Sequence, residues 1–223
     1  MKIEINENKK WQLSLTIKMA ILAIMGLMLL VPLELIKSVI RERQQNSEKV
    51  KKDIAFQWAG NQNISGPVLN IPVMIFPSKQ DVEPYRSVYH LMPEVLDITG
   101  DIQTEKRNRS IYQAVVYTAD INLSGEFLIP DLKTGEKSEI LWNDLYFALG
   151  LSDNRGLKGG ITLEAGSYSI DAIPGLKDTE IFSSGITFPA AFTQPENKIT
   201  FSLNLKISGS ENLSFTPLGR LQV

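Results

Sequence analysis

The sequence predicts a mainly β fold, an antiparallel sandwich-like domain preceded by one N-terminal transmembrane helix. Three observations predict it. Met19–Leu33 is a run of fifteen residues without a charge or a strongly polar group. Residues 111–127 and 199–207 alternate apolar and polar side chains, the period of a strand with one dry and one wet face. Turn-forming clusters punctuate the second half of the chain, at Asp153-Asn154-Arg155-Gly156, Lys158-Gly159-Gly160 and Pro174-Gly175, which suits short strands joined by tight connections.

Composition narrows the function. The chain has 223 residues, 43% of them hydrophobic and 22% charged, enough for one core with an appendage and too apolar for disorder. Its 23 basic and 25 acidic residues give a net charge of -2, so it lacks the concentrated positive face that nucleic-acid binding requires. Zero cysteines exclude disulfides, thiolate metal sites, iron–sulfur clusters and cysteine nucleophiles. The single histidine, His90, excludes multi-histidine metal sites and leaves a Ser-His-Asp triad only through that residue.

The first element is the anchor. Widened to Leu13–Ile36, the apolar run holds 24 residues interrupted only by Ser14, Thr16, Lys18 and Glu34. A helix of that length is about 36 Å long, enough for a hydrocarbon core of roughly 30 Å with some tilt. Trp11 suits the membrane interface, Lys18 can snorkel towards it, and Pro32 is expected in the last turn of the span. A cleaved signal peptide would need small residues after the run, where Pro32, Glu34, Ile36 and Lys37 stand instead. A buried core helix is possible, but fifteen all-round apolar residues next to a β-rich remainder fit it poorly. An uncleaved signal anchor is the better reading. Basic residues flank the span on both sides, so the charge distribution does not orient it.

The expected organisation is a tail over 1–12, the anchor over 13–36, a helical stalk over 37–60 and a β-rich domain over 61–223. In the stalk, Arg41-Glu42-Arg43-Gln44-Gln45 reads as a solvated face, and Val50, Ile54 and Trp58 form one apolar stripe that docks onto the domain. Ala59-Gly60-Asn61 ends the helix. Ser65-Gly66-Pro67 is expected as a turn, followed by an apolar strand over 68–76 that Pro72 confines to an edge or a bulge. In 111–127, Ile111, Val115, Tyr117, Ala119, Ile121, Leu123 and Phe127 take one face. In 199–207, Ile199, Phe201, Leu203, Leu205 and Ile207 point inward and Thr200, Ser202, Asn204 and Lys206 outward. Shorter strands are expected at 86–92, 95–103, 161–165, 168–172 and 213–216, and a short helix at 141–149.

Chemistry-bearing motifs are sparse. Gly135-Glu136-Lys137-Ser138 lacks the glycine spacing of a phosphate loop and reads as a hairpin turn. Asp153-Asn154-Arg155-Gly156 lacks the alternating ligands of a calcium loop. His90 reads as a hydrogen-bonded structural histidine. Asn63, Asn108, Asn122 and Asn212 head chance glycosylation sequons, and Tyr112, Tyr117, Trp142, Tyr146 and Phe147 read as core aromatics. The expectation is therefore no catalytic, cofactor-binding or metal residue and no cofactor.

Several blocks nevertheless carry a resemblance. Ser38-Val39-Ile40-Arg41-Glu42-Arg43-Gln44-Gln45 after the anchor, Trp58-Ala59-Gly60, Ser65-Gly66-Pro67-Val68-Leu69 and Leu91-Met92-Pro93-Glu94 are similar to the bacterial inner-membrane protein family CreD. Arg109-Ser110-Ile111-Tyr112, Leu123-Ser124-Gly125-Glu126-Phe127 and Gly209-Ser210-Glu211-Asn212-Leu213-Ser214-Phe215 continue it, as does Pro217-Leu218-Gly219. The resemblance implies an inner-membrane protein with a cytoplasmic N-terminus and a periplasmic β-domain, associated with cell-envelope integrity, colicin tolerance and envelope or β-lactam stress. It carries over no catalytic or ligand residue. The expected function is non-enzymatic, with the lipid bilayer and an unidentified envelope protein as partners and no nucleic acid. A membrane-anchored carboxylate-dependent enzyme acting on cell-wall glycan is the alternative. The family continues with further periplasmic sequence and C-terminal membrane helices, whereas this chain ends on Leu221-Gln222-Val223 without a closing turn. The β-domain is accordingly expected to be incomplete and to self-associate through an open sheet edge.

Overall fold

The computed structural model describes residues 15–77, 83–109, 111–130, 137–192 and 197–218. The tail with Trp11, the Gly135-Glu136 half of the rejected phosphate loop and the final residues 219–223 lie outside the described residues.

Helix α1 (Leu15–Gln57) is continuous. Its residues up to Lys49 fall in a first unit, and the remainder belongs to a second unit, Val50–Val223. The first unit is long and apolar enough to cross a membrane, and none of its apolar window is buried within the chain. Leu22, Met25, Leu29 and Leu33 are all exposed, as lipid-facing side chains would be. Pro32 lies inside the helix, not in its last turn. The polar sequence after Ile36 is rich in helix formers, so the helix runs on past the apolar run.

The second unit opens with the last turns of α1 and continues as two sheets. The first contains β1 (Gln62–Phe76), β2 (Tyr85–Leu91), β5 (Lys137–Ile140), β6 (Tyr146–Leu151), β9 (Ile173–Pro174), β10 (Gly185–Pro189) and β12 (Leu213–Thr216). Its main order is β12-β1-β6-β10-β9, with β2 and β5 also on β1. The second contains β3 (Val95–Arg109), β4 (Tyr112–Leu128), β7 (Thr162–Ala165), β8 (Tyr168–Asp171) and β11 (Lys198–Ser210), in the order β3-β4-β11-β7-β8. Strand pairing is antiparallel except between β1 and β12, which run parallel.

The core lies between the sheets. Leu69, Ile71, Phe147, Leu149 and Phe188 from the first meet Ile121, Leu123, Phe127, Leu203 and Leu205 from the second. Phe127 and Phe147 join the layers with ring centroids 5.6 Å apart, a spacing typical of favourable aromatic pairs. Over residues 199–207 strand β11 follows the expected alternation: Ile199, Phe201, Leu203, Leu205 and Ile207 are buried, and the four intervening residues are exposed. The stripe of Val50, Ile54 and Trp58 packs on Ala114 and Val116 of β4.

That contact explains one departure from the sequence pattern. Ile111 and Val115 are exposed, although they share a face with the buried Tyr117 and Ala119. At the start of β4 the other face is the covered one, because the end of α1 lies over Ala114 and Val116.

Three further expectations are corrected. Residues 141–149 do not form a helix. Trp142–Asp144 make a 3-10 turn and Tyr146–Leu151 a fully buried strand, because a strand covered on both faces shows no alternation. Ser65-Gly66-Pro67 is not a turn between elements but a bulge within β1, where the register with β6 shifts and the Gly66–Pro67 peptide is cis. Pro72 does not push β1 to an edge, since the strand has partners on both sides. The carbonyl of Pro72 accepts from Leu141 N at 2.9 Å, so its missing N–H faces the 3-10 turn between β5 and β6, where the ladder is already interrupted.

Candidate functional site

The outer face of the first sheet is covered by the segment Gly175–Ser184 that links β9 to β10. Small residues at alternate positions of β6, Ala148 and Gly150, let it approach. A Cβ at Gly150 would meet the Phe182 ring at 2.6 Å, so glycine is what admits that ring. Val68, Ala148 and Phe182 form a second small core there, flanked by Leu176 and Ile181. The apolar anchors hold the segment at both ends, and its middle carries Lys177, Asp178 and Glu180.

Beneath it runs a cross-strand row. Asn70 of β1 pairs in register with His90 of β2 on one side and with Tyr146 of β6 on the other. Asn70 is 3% exposed, and its Oδ1 lies 2.6 Å from His90 Nδ1. Because an amide oxygen only accepts, His90 donates from Nδ1, which leaves Nε2 as the ring atom that faces outward. Nε2 lies 3.2 Å from Glu180 Oε2. One ligand atom from each of His90, Asp178 and Glu180 falls within 4.8 Å of the others. The Asp178 carboxylate also accepts the Glu180 backbone N–H at 2.9 Å, which fixes the two acids along the segment.

Next to this cluster is an open recess of about 390 Å³ lined by Arg86, Val88, Asp144, Tyr146, Lys177 and Asp178. Arg86 and Asp144 form an ion pair at 3.1 Å. Lys177 Nζ sits 5.1 Å from the centre of the Tyr146 ring, a cation–π distance. Burial, with a smaller contribution from Asp178, pushes the Tyr146 hydroxyl above its ordinary pKa. The recess therefore holds charges of both signs around one protonated phenol.

The other singled-out residues have local roles. Asp153 receives Arg155 N at 2.9 Å and Nε at 3.0 Å, and the guanidinium lowers its carboxyl pKa. Asn63 spends its side chain on Ser65, Ser214 and Thr216. Tyr117, Tyr146 and Phe147 are buried, and Trp142 packs on the core. Lys137 and Ser138 open β5. Sequence reasoning found His90 and its hydrogen-bonded character but missed the acids that face it. Asp178 and Glu180 lie in a segment with no regular structure, and 88 positions separate Asp178 from His90 in the chain. The one available signal was the Ala148/Gly150 pair, small residues in a strand marking a close approach.

Comparison with known proteins follows the same direction as the resemblance. The family model described as inner membrane protein CreD matches residues 14–222. The inner membrane protein CreD of Escherichia coli (strain K12) is 30% identical over 204 residues, covering 87% of this chain and 44% of the relative. The chain thus spans less than half the length of that curated relative. No solved structure matches it.

Proposed function

The chain belongs to the CreD family of inner membrane proteins, and on that premise we propose that it is a non-enzymatic envelope protein. In this reading its N-terminus lies in the cytoplasm and its β-domain in the periplasm. The domain contributes to envelope integrity, or to the response to envelope stress, by contact with another envelope protein. The observation that carries the reading is the direct succession of a lipid-suited helix and a two-sheet domain in a chain of this family. Contact rather than catalysis is supported by the engagement of carboxylates with basic side chains: Asp144 with Arg86, Asp153 with Arg155, Asp120 with Lys206.

Two arms test it. Alkaline phosphatase fused after Leu218 is expected to be active and a cytoplasmic reporter at the same place silent; the reverse would overturn the topology. In Escherichia coli K-12 lacking its own CreD, the chain is expected to alter detergent and colicin sensitivity, and Asp144→Asn is expected to retain that effect. No effect of the parent chain would sink the envelope role. Loss of the effect in a folded Asp144→Asn protein would instead favour the carboxylate-dependent glycan enzyme, whose chemistry needs two carboxyl groups about 5–10 Å apart.

A further inference from the structure

We propose that His90, Asp178 and Glu180 form a binding site for a divalent transition-metal ion of the zinc class, which fastens the Gly175–Ser184 segment to the outer face of the first sheet. The donor set is one imidazole nitrogen and two carboxylates. That mixture suits zinc, cobalt or nickel, whereas magnesium and calcium favour oxygen-only shells.

The geometry agrees. Ligands at about 2.0–2.2 Å around a tetrahedral ion stand roughly 3.4 Å from one another. His90 Nε2 and Glu180 Oε2 are 3.2 Å apart, and all three ligand atoms fit within 4.8 Å. The Glu180 side chain is 74% exposed, so it can turn with His90 towards the shared position. The recess beside Asp178 opens to solvent, leaving room for water in a fourth position.

Support behind the ligands makes this more than a chance meeting of charges. Metal-bound histidines characteristically donate their other ring N–H to a fixed acceptor, which sets the tautomer and the ring plane. Asn70 does this from a buried position at 2.6 Å. The acids come from a segment already seated by Leu176, Ile181 and Phe182, so little chain ordering remains when the ion binds. Nothing here depends on which side of the membrane the domain occupies, so this proposal and the one above fail separately.

The test uses the full chain in detergent micelles, purified without a histidine tag, stripped with chelator and titrated with Zn²⁺ and with Co²⁺. His90 is the only histidine, so ring-¹⁵N-histidine NMR reports one residue. One equivalent of Zn²⁺ is expected to shift the Nε2 resonance while Nδ1 stays protonated. Co²⁺ is expected to give a visible absorption that saturates at one equivalent. Glu180→Gln, an exposed change that leaves the fold intact by circular dichroism, should abolish saturation, as should His90→Gln. Asn70→Ala should weaken binding about 10–100-fold. An unmoved His90 signal, or unchanged binding in Glu180→Gln, would overturn the site and leave only a hydrogen-bonded histidine.

Discussion

Gln62 donates from Nε2 to the carbonyl oxygen of Ala59 at 2.8 Å, closing the turn in which Ala59 adopts a left-handed backbone with φ +62°. The same amide reaches the Asp153 carbonyl at 3.2 Å, and Ser152 Oγ donates to its Oε1 at 3.3 Å. The Gln62 backbone N–H donates to the Asn212 carbonyl at 2.9 Å, which also receives the Tyr117 hydroxyl at 2.8 Å. One residue, 1% exposed, therefore joins the end of α1 and the turn after β6 through its side chain and the β11–β12 connection through its backbone.

Gln62→Leu keeps the volume but takes the side-chain donor from the buried Ala59 carbonyl, whereas the Asp153 carbonyl keeps the Gly156 N–H. A buried acceptor that loses its donor costs about 1–3 kcal/mol, so the denaturant midpoint of the β-domain is expected to fall accordingly. Gln62→Glu, which loses the donor but keeps an acceptor for Ser152, should also destabilise. An unchanged midpoint in Gln62→Leu, followed by far-ultraviolet circular dichroism, would show that water satisfies this junction.

The strand register gives a second expectation. Leu203 is 1% exposed and Asn204 points to solvent. Leu203→Ala should destabilise the domain by about 2–5 kcal/mol through lost burial and a residual cavity, whereas Asn204→Ala should change little. Equal effects would contradict the register with β4, in which Leu203 faces Leu123.

What was legible in the sequence follows from where the physics is local. β11 could be read residue by residue because its two faces meet different media. The stripe of Val50, Ile54 and Trp58 could be read because a helix face repeats within a few residues. The start of β4 misled because which face of Ala114-Val115-Val116 is covered depends on a helix some 60 positions away. β6 misled for the opposite reason: Phe147, Ala148 and Leu149 are buried at successive positions and show no alternation, while Trp142, Leu145 and Leu149 have the spacing of one helix face. The His90 cluster was invisible because the loop that supplies its acids is positioned by Phe182 on Gly150, a contact no periodicity encodes.

The anchor can be tested by charge. Ile24 and Leu29 lie near the middle of the apolar run and are exposed along the helix. Arginine at both should cost about 2.5–3.5 kcal/mol each on insertion scales, and the protein should become extractable by carbonate. Retention in the membrane fraction equal to the parent would show that this segment does not hold the chain there.

Tyr117 makes stability depend on alkaline pH. Burial pushes its hydroxyl pKa up from 10 to about 12, partly offset by the Gln62 backbone N–H. The folded pKa is raised above the unfolded one, so this group's stabilisation is complete below pH 10 and is lost as pH rises towards 12. Tyr117→Phe should lower stability at neutral pH by removing the bond to Asn212, yet flatten the decline between pH 10 and 12. Parallel pH curves for the two proteins would contradict the assignment.

The last expectation concerns association. Strand β3 is fifteen residues long and, among the described residues, pairs with β4 on one side only. Its Ile98, Gly100 and Ile102 line a recess of about 230 Å³ together with Ile121, Leu213 and Phe215. Ile102 is 55% exposed although it pairs with the fully buried Ala119, so the inner face of β3 is uncovered near the parallel strand β12. A long edge beside an open apolar face favours pairing with another chain, and the charges at Asp97, Asp101, Glu105 and Lys106 restrain it only in part. Residues 45–223 expressed without the anchor should therefore self-associate at micromolar concentration by light scattering. Ile102→Lys should shift the species towards monomer without lowering the unfolding midpoint, because it removes exposed apolar surface and no core contact. A parent domain that is monomeric and unfolds cooperatively would show that this edge is closed within these residues. Association unchanged by Ile102→Lys would place the contact elsewhere on the domain.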